Sequence, residues 1–293
     1  MGTVLRRALA PVGLAALGAT VAAAASAYGL RRQAAAARAV IGKPFGEEAF
    51  VADKVYKRKY GDDVELLLLG DSIAAGLGAD SPKQTLGAEL ARRVARATHR
   101  SVRLHTAAVV GAESSDLAGQ LDGLPAGYRP DVAVIVVGGN DVIHRVRPAD
   151  SRRHLAAAVG RLRAAGVEVV VGTCPDLGAL RALRQPLRGL GSRASRQLAA
   201  VQREATTEAG GRAVALAEVV GPFFLARPDE MFSLDRFHPS GAGYRRTAKA
   251  IAPSVLLALG HGDTVPFGHH PPAGEPRPAE SSGIEATDRS TWA

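Results

Sequence analysis

Between residues 64 and 259, five apolar runs of strand length alternate with stretches of amphipathic, helical periodicity. This alternation constrains the fold more than any other property of the 293-residue chain. The runs are VELLLL from Val64, VRLHTA from Val102, DVAVIVV from Asp131, VEVVVG from Val167 and AVALAE from Ala213; residues 83–98, 115–122, 150–165, 191–209 and 241–259 carry the helical pattern. Short apolar runs separated by helices are buried on two sides, which requires a parallel sheet with crossover helices on both faces. The expected fold is therefore α/β, a three-layer α/β/α domain around a five-stranded parallel sheet.

The flanks read differently. Arg6 and Arg7 precede an uncharged stretch from Ala8 to Leu30 that is closed by Arg31 and Arg32. It is long enough to span a bilayer and contains Ala25-Ser26-Ala27, a small-residue cleavage pattern. Residues 1–35 are expected to be a signal peptide or an N-terminal membrane anchor, which places the chain at the cell envelope, anchored or secreted. Residues 36–62, with the mixed-charge DKVYKRKYGDD, read as a linker or short lead-in helix, and 63–260 as the domain. After Gly260 the periodicity gives way to Pro, Gly and Ser, so 261–293 reads as a disordered tail whose His261, His269 and His270 are weak candidates for a metal.

Composition narrows the function classes. The chain carries 37 basic against 28 acidic residues, a net charge of +9, but only 4% aromatics. Nucleic-acid binders interleave aromatics with a clustered basic stripe, and here the arginines are scattered along helical stretches, so solvated faces are expected, with attraction to anionic surfaces secondary. The single cysteine, Cys174, excludes an intramolecular disulfide and a multi-cysteine metal site.

In an open parallel sheet, ligands bind beyond the carboxyl ends of the strands. Gly70-Asp71-Ser72 follows the first run, Val110-Gly111-Ala112-Glu113 the second, Gly138-Gly139-Asn140-Asp141 the third, and SLDRFHPSGAGY, with Asp235 and His238, comes after the fifth. Each has a plain structural explanation: a tight turn at Gly-Asp-Ser, glycines and an Asn at positive φ in Gly-Gly-Asn-Asp, an N-cap at Ser240. Their joint placement at one sheet edge points instead to chemistry. A serine hydroxyl needs a base within reach and the base needs an orienting group, roles that His238 and Asp235 fill at an Asp-x-x-His spacing. The Ser72 N–H, the Gly111 N–H and the Asn140 amide are available as donors to a developing oxyanion. His144, Arg145 and Arg147 follow the Asn140 loop as candidates for a polar or anionic substrate group. Asp71 and Phe232 are further candidates for substrate contact, the latter in the apolar segment PFFLARPDEMF.

Over roughly residues 64–259 the sequence resembles the SGNH (GDSL) hydrolase superfamily, with LLLLGDSIAAG, AVVGAESSDL, VVGGNDV and DRFHPSGAGY in the family's order. The small exported or cell-envelope esterases of actinobacteria are the nearest in character. The resemblance implies a flavodoxin-like sheet and hydrolysis of acyl esters by Ser72, His238 and Asp235 through an acyl-enzyme, without metal or organic cofactor. Where many relatives carry an asparagine shortly before the second-block glycine, this chain has Val110, which leaves the tuning of that loop open. Thioesterase or lysophospholipase specificity, or a catalytically silent binding domain on the same fold, are the alternatives. The glycines at 70, 76 and 78 miss the G-x-G-x-x-G spacing of a dinucleotide site, and no G-x-S-x-G of an α/β-hydrolase occurs.

Overall fold

The computed structural model describes residues 24–36, 39, 48–262 and 264–275. Most of the segment expected to be a signal or anchor, and the tail beyond 275, lie outside the described residues. Among the described residues no helix is long and apolar enough to cross a membrane.

Five parallel strands form the centre of the sheet: β2 (Val64–Gly70), β3 (Val102–Thr106), β4 (Val132–Val136), β5 (Glu168–Gly172) and β6 (Arg212–Val214). Two short antiparallel strands, β1 (Val55–Tyr56) and β7 (His269–His270), extend it to the order β1-β3-β2-β4-β5-β6-β7. The five parallel strands have the flavodoxin-like order, in which the connections leave β2 to one side and return on the other.

The sequence runs explain the central strands. Leu66 and Leu68 point into one core cluster and Leu67 and Leu69 into another, and all four are fully buried, because successive side chains of a strand face opposite sides. Each such leucine contributes about 1.5–3 kcal/mol of burial. On one face α2 (Leu86–Thr98) and α10 (Gly241–Ala258) pack together; on the other lie α3 (Leu117–Asp122) and α5 (Pro148–Ala164), with α6 (Leu187–Glu208) against α5. Helix α2 starts where Thr85 Oγ1 accepts the Ala88 N–H at 3.3 Å and ends at His99 in a left-handed conformation. Between these ends, Leu90, Ala91, Val94 and Ala95 recur at helical spacing on the buried face.

Three expectations are corrected. The sheet has seven strands, not five. The supposed lead-in supplies β1, whose Tyr56 is buried with its hydroxyl donating to Ala52 O at 2.7 Å, so the domain begins before residue 52 rather than at 63. The supposed tail supplies β7: His269 is buried and bonded to Ser254 Oγ at 2.7 Å, and Glu275 pairs with Arg212. Two-residue strands are too short for a period to emerge from the sequence, and each is fixed by its edge partner. In AVALAE, only Ala213 and Val214 are extended; Leu216 already opens a helix.

Candidate active site

Ser72 is the first residue of a one-turn helix, α1 (Ser72–Ala75), at the end of β2. The turn that delivers it can be made only by glycine. Gly70 has φ +126°, and a Cβ there would stand 1.9 Å from Val136 O of β4. With nothing but hydrogen at that position, the Asp71 N–H bonds Val136 O at 3.0 Å, and the Gln120 side chain clamps Gly70 through its N–H and C=O at 2.9 and 2.8 Å. Ser72 thus emerges at the switch point between β2 and β4, and α4 (Gly139–His144) begins just after β4 on the other side of it.

The second component arrives from the loop between α9 (Pro228–Met231) and α10. Asp235 Oδ1 accepts the backbone N–H groups of Phe237 and His238, both at 2.9 Å, and the Ser233 hydroxyl at 2.7 Å, so one carboxylate organises the whole turn. Its other oxygen lies 2.6 Å from His238 Nδ1, while His238 Nε2 lies 2.9 Å from Ser72 Oγ. The loop can come this close because Gly78 has no side chain: a Cβ there would stand 2.8 Å from His238 Cβ. Burial works against the charge of Asp235, but the bonds from His238, Phe237 and Ser233 outweigh it and hold the carboxyl down at about 2. An ionised carboxylate facing Nδ1 fixes the ring tautomer with its proton there, leaving Nε2 free to accept from the serine.

On the β3 side, the Val109 N–H bonds Gly70 O at 3.0 Å, and Asn140 Nδ2 donates to Ala112 O at 2.9 Å, which ties the Gly111 loop to the Asn140 turn. Gly111 has φ +86° with open space where a Cβ would be. The positive φ expected of Asn140 falls instead on Gly138, at +132°, and Asn140 itself is helical. An amide nitrogen carries two hydrogens, so the bond to Ala112 leaves one for a ligand. Asp141, next along, is buried and accepts from Ser151 Oγ at 2.6 Å and the Ser114 N–H, which pins α4 to α5.

A cleft of about 770 Å³, its open mouth included, runs from Ser72, Asn140 and His238 between the connections after β5 and β6. Its walls are Leu177, Ala179 and Leu180 on one side and Leu216, Val220 and Phe224 on the other, with α7 (Leu216–Val219) and α8 (Gly221–Ala226) supplying the second set. Phe232 lines the cleft as the sequence suggested and meets Phe224 edge to face, centroids 4.9 Å apart.

Of the other expected contacts, one stays at the cleft and three lie away from it. Asp71 borders the cleft but caps α1, its Oδ1 accepting the Ile73 N–H at 2.9 Å. Burial pushes its carboxyl up to about 6, with that N–H and the nearby His238 pulling the other way. His144 is exposed, its Nδ1 2.6 Å from Glu113 Oε1; Arg145 is an exposed left-handed helix end; Arg147 pairs with Asp150. None of these three lines the cleft. The tail histidines do not cluster: His269 faces Ser254, and among the described residues no group of three His, Cys, Asp or Glu is placed to hold a metal. Sequence reasoning missed Ser233, Gly78 and Gln120. Ser233 carries a faint signal, a hydroxyl two residues before the aspartate; Gly78 and Gln120 act across more than 40 residues and carry none.

Residues 68–246 match the model of the GDSL-like Lipase/Acylhydrolase family. The chain is 41% identical over 238 residues to GDSL-like esterase Rv1075c of Mycobacterium tuberculosis, covering 78% of this chain and 76% of that protein. It is 35% identical over 106 residues to Esterase TesA of Pseudomonas aeruginosa, covering 36% of this chain and 52% of TesA. Among solved structures, the lipase/acylhydrolase from Enterococcus faecalis shares the fold with a TM-score of 0.54 at 22% identity, over 66% of this chain and 95% of that one. The family model spans all four strand-end blocks, from the run before Ser72 to the helix after His238, and the chain belongs to the GDSL-like lipase/acylhydrolase family.

Proposed function

We propose that the protein hydrolyses carboxylic esters of apolar acyl groups through Ser72, His238 and Asp235. The single observation that carries this reading is that His238 faces Ser72 Oγ through one ring nitrogen and an ionised Asp235 through the other. Ser72 Oγ attacks the ester carbonyl while its proton passes to His238 Nε2; Asp235 stabilises the imidazolium and does not take the proton. The carbonyl oxygen, now negative, is met by the N–H groups of Ser72 and Gly111 and by the second hydrogen of Asn140 Nδ2. Collapse expels the alcohol, which leaves with the proton from His238. A water molecule, giving up its proton to the same ring, then attacks the acyl-Ser72 ester; collapse releases the acid and returns the proton from His238 to Ser72 Oγ.

The cleft supports an acyl chain over an extended polar one, because its walls are mostly apolar side chains and the Asp176 carboxylate on the β5 side is engaged by Gly178, Ser192 and Arg196. The arginine-flanked stretch Ala8 to Leu30 is read as the export or anchoring signal that brings the domain to the cell envelope. A fluorophosphonate probe tests the nucleophile: covalent labelling of the wild type, located at Ser72 and abolished in Ser72→Ala, is expected. Undiminished labelling of Ser72→Ala overturns the assignment.

A further inference from the structure

Ten large apolar side chains are exposed among the described residues, and nine of them lie at the edge of the sheet that carries the site. Val109 follows β3 and Ile143 follows β4. Leu190 is in the first turn of α6, where a Cβ on the neighbouring Gly191 would stand 3.8 Å from the cleft residue Leu177. Phe223 and Leu225 alternate with the cleft residues Gly221 and Phe224 on α8, and Leu234, 83% exposed, immediately precedes Asp235. The remaining three reach the same edge through antiparallel strands. Phe50 and Val51 precede β1, and Asp53 takes the Thr106 N–H at the end of β3, so both residues stand beyond the end of that strand. Phe267 precedes β7, and Gly268 O takes the Ala215 N–H just past the end of β6. At the opposite edge, the connections at 61–63, 99–101, 125–131 and 165–167 expose no large apolar side chain.

Two further features belong to the site edge. The chain enters the domain there, because β1 runs antiparallel to β3, and Gln33 Nε2 donates to Gln185 O in the connection after β5. Exposed arginines, Arg181, Arg184 and Arg236, stand among the apolar side chains. Apolar side chains with long cationic ones among them match the boundary of an anionic bilayer, where the former enter the acyl region and the latter reach phosphates.

We propose that the site edge docks on the surface of an anionic lipid bilayer, so that the cleft opens toward the leaflet and draws its ester from there. The docking stands on the edge itself; only the source of the ester rests on the hydrolase reading. Gln33, tied to Gln185 O, places the described end of the N-terminal segment at this same edge.

The test uses the full chain with a polarity-sensitive fluorophore on an introduced thiol, at Leu225→Cys or, as a control on the opposite edge, at Ala126→Cys. The native Cys174 is buried and leaves the new thiol as the labelling site. Vesicles of phosphatidylglycerol and phosphatidylcholine should blue-shift the label at 225 and leave that at 126 unmoved. No shift at 225, or equal shifts at both positions, overturns the proposal, even where the protein sediments with the vesicles through its N-terminal stretch. In a second arm, Leu225→Asp with Phe267→Asp should slow hydrolysis of a vesicle-borne ester by about tenfold, the loss expected from withdrawing two side chains from an interface, with a soluble short-chain ester cleaved as before. Equal slowing on both esters contradicts docking. A wild type that cleaves neither ester removes the hydrolase reading, and the label shift still decides the docking.

Discussion

Ser72 stands between two unlike walls. On the His238 side, Asp235, Ser233 and the backbone of Phe237 and His238 form a closed set of hydrogen bonds within six consecutive residues. On the cleft side, the apolar side chains of Leu177, Leu180, Leu216, Val220 and Phe224 come from the two connections after β5 and β6 and meet by packing alone. The first wall is rigid because a few charge-assisted bonds define it. The second is only as fixed as its packing, which tolerates exchange of one apolar side chain for another of similar volume. On the proposed reading, the polar wall sets what reaction occurs and the apolar wall sets on which ester.

The largest effect should come from breaking the polar wall at its centre. His238→Ala is expected to lower kcat by about 10⁴-fold or more, because the serine loses its base, while thermal stability changes little. Steady-state kinetics and a thermal midpoint on one preparation check this; a drop in kcat explained by unfolding would return His238 to a structural role. Asn140→Ala comes next. In the proposed role its amide meets the oxyanion fully only in the transition state, so kcat should fall by about 10²- to 10³-fold with KM nearly constant. A destabilised but fully active enzyme would leave Asn140 as a tie to Ala112 alone.

These expectations rest on features of unequal legibility. The five parallel strands and the helices between them were readable because each is long enough for its period to emerge, and the sheet edge then gathers Ser72, Asn140 and His238 by topology alone. The Asp-x-x-His pair was readable because its geometry is local. Strands β1 and β7 were not, since two residues carry no period and their extended form comes from pairing with Arg103, Val102, Ala213 and Val214. The cleft wall was read only as an apolar segment: that Leu216 and Phe224 face Leu177 across it follows from tertiary packing. His144 and Arg145 were misplaced because proximity in sequence to Asn140 does not fix direction, and α4 carries them away from the cleft toward Glu113 and solvent.

The apolar wall should respond to a change of shape with a change of preference. Ala179→Leu places three more carbons in the cleft, so kcat/KM for a long acyl ester should fall by about tenfold relative to a short one, the equivalent of one to two methylenes. Equal losses across a p-nitrophenyl ester series would place the acyl chain elsewhere. The smallest effect concerns Asp71, buried under both walls. Its carboxyl is raised in the folded protein to about 6, so its contribution to stability is full below the ordinary carboxylate range and is lost as pH rises through about 6. Asp71→Asn keeps a capping side chain and carries no charge, so it should raise the thermal midpoint by about 2–4 °C at pH 7.5 and by less at pH 4. A gain equal at both pH values would show that the buried charge is not the cause.

The claim that the polar wall acts on an acyl group held by the apolar one is met most directly by trapping the intermediate. Acid-quenched reactions of the wild type with a slowly hydrolysed long-chain p-nitrophenyl ester, digested and weighed by mass spectrometry, should yield the peptide containing Ser72 heavier by the acyl group. The adduct should be absent in Ser72→Ala and should accumulate in step with the burst of p-nitrophenol. Turnover of the ester with no adduct at Ser72, or an acyl group found on another residue, would contradict the account.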